Sequence, residues 1–315
     1  MNERAFTLAD QMAARAAELR IAVHTLACGA RVLDAGIAAS GGFAAGLALA
    51  ELCMGGLGHV AAATIPIGGE TWPGVQVWTD HPAVCCMASQ YAGWAINPAG
   101  YFAMGSGPLR ASARVEAELF ARLGYAESAS RGVLVLETRT LPGDAVAEWV
   151  SRKSGVACHQ LTCAAAPTAS LAGAVQIAAR VAETGLHKMD VIGFDVTRVG
   201  SAFGAAPLAP IARNDLRAVG RTNDCILYGG RSYYTIAAGD DELAALADRL
   251  PASSSPDYGV PFSEIFKRYD NDFYRIDPML FSPAEVWLTS ATTGRTFHAG
   301  RIDVDVLRAS LFDEG

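Results

Sequence analysis

Lysine is almost missing from this chain: Lys153, Lys188 and Lys267 stand alone against 22 arginines. No run of basic residues occurs and the formal net charge is −7, so nothing offers a nucleic-acid backbone an electrostatic footprint. A neutral or cationic small molecule suits this charge better. Lys and Glu enrichment marks hyperthermophile proteins, so the Arg-rich composition suits a mesophilic bacterium.

Long apolar segments are missing too. The two longest uncharged runs, His81 to Leu109 and Ser154 to Ala179, are interrupted by Pro82, Pro98 and Pro167 and dotted with polar residues, so neither reads as a membrane span. The N-terminus opens on Asn2, Glu3 and Arg4 without an apolar secretion segment. Seven cysteines, an odd number with no C-x-x-C spacing, exclude a disulfide framework and read as buried thiols in a reducing cytoplasm. The six histidines are scattered, with no H-x-H or H-E-x-x-H, so no metal site is expected. Gly56-x-Gly58 precedes a strand instead of following one, which fails the dinucleotide fingerprint on context. The Walker lysine and the G-x-S-x-G elbow do not occur.

What is present is a chain of 315 residues, 51% hydrophobic, enough for two domains, placed at 1–165 and 166–315. Helical apolar spacing runs from Glu3 to Cys28, and small residues from Gly41 to Gly58 read as a tightly packed helix. Strands are expected at Arg31–Asp34, His59–Ile67, Val75–Thr79, Val133–Glu137 and Gln160–Ala164. Helices are expected from Pro82 towards Trp94, near Ser112–Leu123 and at Asp144–Lys153. This alternation predicts a mixed α/β fold of two layered domains. Further on, Val191–Val199 looks extended, Gly200–Pro210 reads as a connection, and Pro251–Pro261 and Asp270–Pro283 read as loops whose aromatics (Tyr258, Phe273, Tyr274, Phe281) border a site or cover a core.

The most informative stretch is Ala166–Lys188, APTASLAGAVQIAARVAETGLHK. Pro167, Thr168 and Ser170 supply turn and N-cap chemistry, and Gly185 is placed as a stop, which predicts one helix over Leu171–Thr184. Arg180 and Glu183 then share a face in its last turn. A surface ion pair is the ordinary meaning of such a pair. Simple helix stabilisation would not choose it, however, because the carboxylate would face the negative end of the macrodipole and Arg-before-Glu is the weaker order. The arrangement suits a general base whose affinity for protons is raised by the dipole and lowered by the guanidinium.

Two other clusters leave alternatives open. Gly105, Ser106, Gly107 and Pro108 beside Arg110 form either a backbone nest for an anion or an ordinary loop. Arg221-Thr222-Asn223-Asp224 offers donors and acceptors matched to a pyrimidone edge, or a capped turn.

Collinear motifs run through nearly the whole chain: GGFAAGLALAELCMGGLG, TDHPAV, ASQYAGW, YFAMGSGP with Arg110-Ala111, APTAS, VQIAARVAETGLHK, GRTND with ILYGG, DYGVPF with EIF, DFY, and LFSPA. Through them the sequence resembles the methenyltetrahydromethanopterin cyclohydrolases. The resemblance implies a cytoplasmic hydrolase of one-carbon metabolism, needing no metal or nucleotide cofactor, with a pocket between its two domains and a homotrimeric assembly. It implies catalytic roles for Arg180 and Glu183, and substrate contacts from Ser89, Gln90 and Trp94, from Gly105, Ser106, Gly107 and Arg110, from Thr168 and Ser170, from Arg221, Asn223 and Asp224, and from Phe281 and Ser282. Ser154 and Cys163-Ala164-Ala165 depart from the family pattern beside that helix. With this composition, the expected role is oxidation of formaldehyde-derived carbon in a methylotroph. A one-carbon-transferring enzyme and a pterin-binding protein without turnover are the rival readings.

Overall fold

A computed structural model describes residues 1–270, 272 and 275–312. Phe273 and Tyr274 therefore lie outside the described residues. The strands are β1 (Ala22–Thr25), β2 (Arg31–Asp34), β3 (His59–Ile67), β4 (Glu70–Thr79), β5 (Trp94–Ile96), β6 (Ala103–Ser106), β7 (Gly132–Glu137), β8 (Leu161–Ala166), β9 (Val199–Pro207), β10 (Arg231–Ile236), β11 (Glu285–Ser290) and β12 (Thr296–Gly300). They form two mixed six-stranded sheets, ordered β1-β2-β8-β7-β6-β5 and β12-β11-β10-β9-β4-β3. The mixed α/β class expected from the sequence is thus observed. Two compact units contain them: Met1–His59 with Val84–Gln176, and Val60–Ala83 with Ile177–Gly315. The last crossing falls after Gln176, inside a helix, where the sequence suggested a division at 165/166.

In the first unit, β2, β8 and β7 run parallel, and the helix Asp144–Ser154 makes the crossover from β7 to β8. Successive residues of a strand point to opposite faces, and here both faces are buried. Val133, Val135, Ala164 and Ala166 join a core with Ala5, Ala9, Leu49 and Leu52 of the helices Asn2–Ala14 and Phe43–Cys53. Leu134, Leu136, Cys163 and Ala165 join another with Val146, Ala147 and Val150 of the crossover helix. Such strands read as continuous small or apolar runs, as GVLVLE and LTCAAA do.

The second unit buries one sheet face more completely than the other. Ser232, Tyr234 and Ile236 of β10 are buried while Tyr233 and Thr235 are exposed. The outward row is aromatic across five strands in direct register: Trp78, Phe203, Tyr233, Trp287 and His298. Tyr233 stacks on Trp287 at 4.4 Å, and Trp287 on His298 at 4.5 Å.

Several expectations change. The N-terminal helix ends at Ala14, a short turn of helix follows, and Arg20 in the left-handed region (φ 57°) turns the chain into β1. The segment after Pro82 is a π-helix, Ala83–Gln90, and Trp94 opens β5. Val191 ends a helix, and the supposed Gly/Ala/Pro connection is β9, paired on both sides. Its small residues serve packing: a Cβ on Gly204 would lie 2.6 Å from Val181 Cγ1.

Candidate active site

Ser170 caps the helix Leu171–Ala178 as expected: its Oγ accepts the Gly173 N–H at 3.0 Å. That helix does not continue to Thr184. It breaks at Ala179 and Arg180, and a second helix runs from Val181 to Val191 straight through Gly185. Glu183 therefore stands in the first turn of a helix, with Arg180 as its N-cap residue. The dipole argument reverses: here the helix end favours the carboxylate form.

Arg180 and Glu183 are 8% and 4% exposed, which rules out an exposed surface pair. The Arg180-x-x-Glu183 spacing also matches a capping box, in which the Glu side chain would bind the N-cap N–H. That N–H is donated to the Ile177 carbonyl at 2.9 Å. The sheet grips this turn closely. Ser232 Oγ donates to the Val181 carbonyl at 3.0 Å, and Tyr234 Oη to the Ala182 carbonyl at 2.8 Å. Gly185 makes room for Tyr234, since a Cβ there would lie 2.1 Å from its hydroxyl and 3.3 Å from Pro283 Cδ. Ser282, beside Pro283, is fully buried and its hydroxyl has no hydrogen-bond partner among the described residues. Leaving such a group unpaired costs about 1–3 kcal/mol, a cost that a ligand would remove. Lys188, later on the helix, donates to the Pro251 carbonyl at 2.7 Å and Ser254 Oγ at 2.8 Å, and burial lowers its ammonium to about 7.

In the first unit the ends of the parallel strands carry polar groups. Asp34 closes β2, Glu137 closes β7, and Thr168 follows β8 and donates to Glu137. Carboxyl ends of parallel strands are where open α/β sheets bind ligands. Burial opposes the charge on Asp34, but the backbone N–H groups of Gly36, Ile37, Ala38 and Ala39, at 2.7–3.0 Å, hold its carboxyl below the usual range. Sequence reasoning missed Asp34, Glu137, Ser232 and Tyr234. For Asp34 a signal existed, an acid at a strand end before AGIAASGG.

Other sequence candidates are engaged in packing. Ser89 Oγ donates to the Cys53 carbonyl at 2.6 Å, and buried Gln90 ends the π-helix. Trp94 is a core residue 5.9 Å from the Trp149 ring. The MGSGP stretch is part strand and part turn: Gly105 and Ser106 lie in β6, Gly107 and Pro108 turn after it, and Ser106 Oγ meets Cys53 Sγ at 3.3 Å. Gly107, at φ 97°, donates its N–H to the Ser89 carbonyl at 2.7 Å. Arg110 is fully buried, donating to Glu116 at 2.5 Å and to the Met87 carbonyl at 3.0 Å. The Gly107 N–H and the Arg110 guanidinium thus donate to groups of the same unit.

GRTND is not a capped turn, because it lies inside the helix Asp215–Leu227. Arg221 Nε reaches the Ser310 carbonyl at 3.4 Å, and Asn223 bonds back to Val219 at 2.8 Å. Asp224 is buried, accepting from the Phe262 N–H at 2.8 Å and Ser310 Oγ at 2.5 Å, and burial pushes its carboxyl up to about 7. Phe281 packs edge-on to Phe262 at 5.9 Å.

The family model described as cyclohydrolase (MCH) matches residues 1–311. The chain belongs to this family. Relatives named methenyltetrahydromethanopterin cyclohydrolase include one from Methylobacillus flagellatus, 45% identical over 99% of this chain and 95% of that one. Another, from Methanocaldococcus jannaschii, is 42% identical over 99% and 98%, and one from Rhodopirellula baltica is 46% identical over 90% and 86%. Among the described residues of this cyclohydrolase-family chain, no helix is long and apolar enough to cross a membrane. Among the described residues no group of three or more His, Cys, Asp or Glu is placed to hold a metal ion, and none of the seven cysteines forms a disulfide.

Proposed function

We propose that this protein is a methenyltetrahydromethanopterin cyclohydrolase of one-carbon metabolism, with Glu183 as proton carrier and Arg180 as its electrostatic partner. The observation that carries the site assignment is the burial of both charges at one helix start in a chain of this family. The substrate carries a methenyl carbon bridging N5 and N10 with delocalised positive charge. Water adds to that carbon and its proton passes to the Glu183 carboxylate. Glu183 then returns the proton to N10, the carbon–N10 bond breaks as the carbonyl forms, and the hydroxyl proton is released, leaving the 5-formyl product. The helix start and Arg180 keep Glu183 anionic between turnovers, and that charge attracts the cationic substrate. Ser282, with its buried unpaired hydroxyl, is proposed as a substrate contact in the same unit.

No cofactor enters this scheme, and the protein is proposed to work in the cytoplasm as a homotrimer. The open groove of about 300 Å³ along Trp78, Phe203 and Tyr233 is the kind of aromatic surface that oligomers cover. The reaction is tested by mixing purified protein with the methenyl pterin and following loss of its chromophore. Hydrolysis without added one-carbon carrier, unaffected by chelator, is expected. A chromophore that is bound but persists would mean storage, and decay only with a carrier would mean transfer. Comparing tailed and tailless pterins identifies the natural substrate, and light scattering showing a monomer at all concentrations would refute the trimer.

A further inference from the structure

We propose that Ser232 and Tyr234 are positioning residues for Glu183, fixing the rotation and height of the helical turn that carries it. The inference rests on the proposed role of Glu183 as proton carrier. Residues 232 and 234 are alternate positions on β10, so both side chains leave the same sheet face. Both are buried, at 0% and 2% exposure. Their hydroxyls meet successive carbonyls, Val181 and Ala182, at 3.0 and 2.8 Å. Successive carbonyls of a helix point about 100° apart around its axis. Two directional bonds to two such carbonyls therefore fix the turn about its axis as well as its distance from the sheet. Glu183 is the next residue.

The carbonyls of Val181 and Ala182 serve the helix's own N–H groups, and Val181 also accepts from Thr184 Oγ1 at 3.0 Å, so the hydroxyls of Ser232 and Tyr234 are not needed to complete the helix. Packing alone would not require them either, because alanine and phenylalanine keep most of the same apolar contact. What the hydroxyls add is orientation, which matters where a misplacement of about 1 Å costs on the order of 100-fold in rate. The glycine at 185 belongs to the same device. A Cβ there would strike the Tyr234 hydroxyl at 2.1 Å, with the ring carbon behind it at 3.0 Å.

The test uses the full-length protein carrying Ser232→Ala, Tyr234→Phe or Gly185→Ala, assayed well below each melting temperature alongside Glu183→Gln. Tyr234→Phe and Ser232→Ala are each expected to lower kcat by roughly 10-fold with KM within about twofold, and their combination by roughly 100-fold. The pH–rate limb should keep its position, because the carboxylate remains. Gly185→Ala should cost less in the Tyr234→Phe background than alone, because the struck atom is gone. Wild-type kcat with only a lower melting temperature, or strictly additive losses for residues 185 and 234, would overturn the inference. If Glu183→Gln is inactive while these variants turn over normally, only the positioning role fails. A Glu183→Gln enzyme that turns over normally refutes the proton-carrier reading beneath it.

Discussion

The two sheets have equal strand counts and treat their faces differently. In the first unit β7 and β8 are buried on both sides, and charged groups appear at strand ends or, like buried Arg110, paired with a carboxylate at the surface, here Glu116. In the second, β10 gives its buried face to the helix bearing Glu183 and its other face to an exposed aromatic row. A sheet buried on both faces leaves only its strand ends open to a ligand. A sheet with one committed face can aim what is attached to it, and the hydroxyls of Ser232 and Tyr234 do so.

The sharpest contrast sets two buried charged residues against each other, and the largest effect is expected at Glu183. Glu183→Gln keeps the shape and removes the basicity, so kcat should fall by about 10² to 10⁴ while the melting temperature stays near wild type. Arg110→Ala should do the reverse. It removes a fully buried side chain that packs on the Tyr91 and Phe120 rings and should cost about 2 kcal/mol of stability, with kcat and KM retained in the folded fraction. Denaturant titration and steady-state kinetics on both variants check the pair, and a raised KM for Arg110→Ala would return the MGSGP segment to anion binding.

Arg180→Ala should lower kcat by roughly 10- to 100-fold, less than loss of Glu183 itself. Without the guanidinium the carboxylate binds its proton more readily, so the acid limb of the pH–rate profile should move to higher pH. An unmoved limb would separate Arg180 from Glu183.

A smaller effect belongs to the helix Asp215–Leu227. Asp224 has its carboxyl raised by burial from 3.8 to about 7. Between those values the folded protein holds a proton that the unfolded chain has released, so stability from this group falls as pH rises through that window. Asp224→Asn should flatten that fall while keeping the acceptor for the Phe262 N–H. Melting temperatures taken across that window, with an unchanged slope in the variant, would contradict it. The smallest effect is expected on the outer sheet face. Tyr233→Thr should change unfolding stability by no more than about 1 kcal/mol but weaken self-association, read by light scattering.

Strands with clear alternation or continuous burial were legible from sequence: Arg31–Asp34 and His59–Ile67 have the bounds expected. The Gly/Ala segment that forms β9 was not, because small residues read as a connection until their partner is known, here Val181 above Gly204. The break at Ala179–Arg180 was equally hidden. No glycine or proline marks it, and the turn is held by hydroxyls some 50 residues away in the chain. So Arg180 and Glu183 stood out as residues, while the sign of the dipole acting on them needed the three-dimensional structure. For Arg221, Asn223 and Asp224 the sequence could not show their bonds within one helix and to its neighbours.

The central claim is that the Glu183 carboxylate moves the proton between water and N10. It is tested most directly by single-turnover hydrolysis with excess Glu183→Gln protein, after saturation with the methenyl pterin has been verified by equilibrium binding. The bound chromophore should persist at least about 100 times longer than in the wild-type complex. Decay of the bound chromophore at the wild-type rate would contradict the claim.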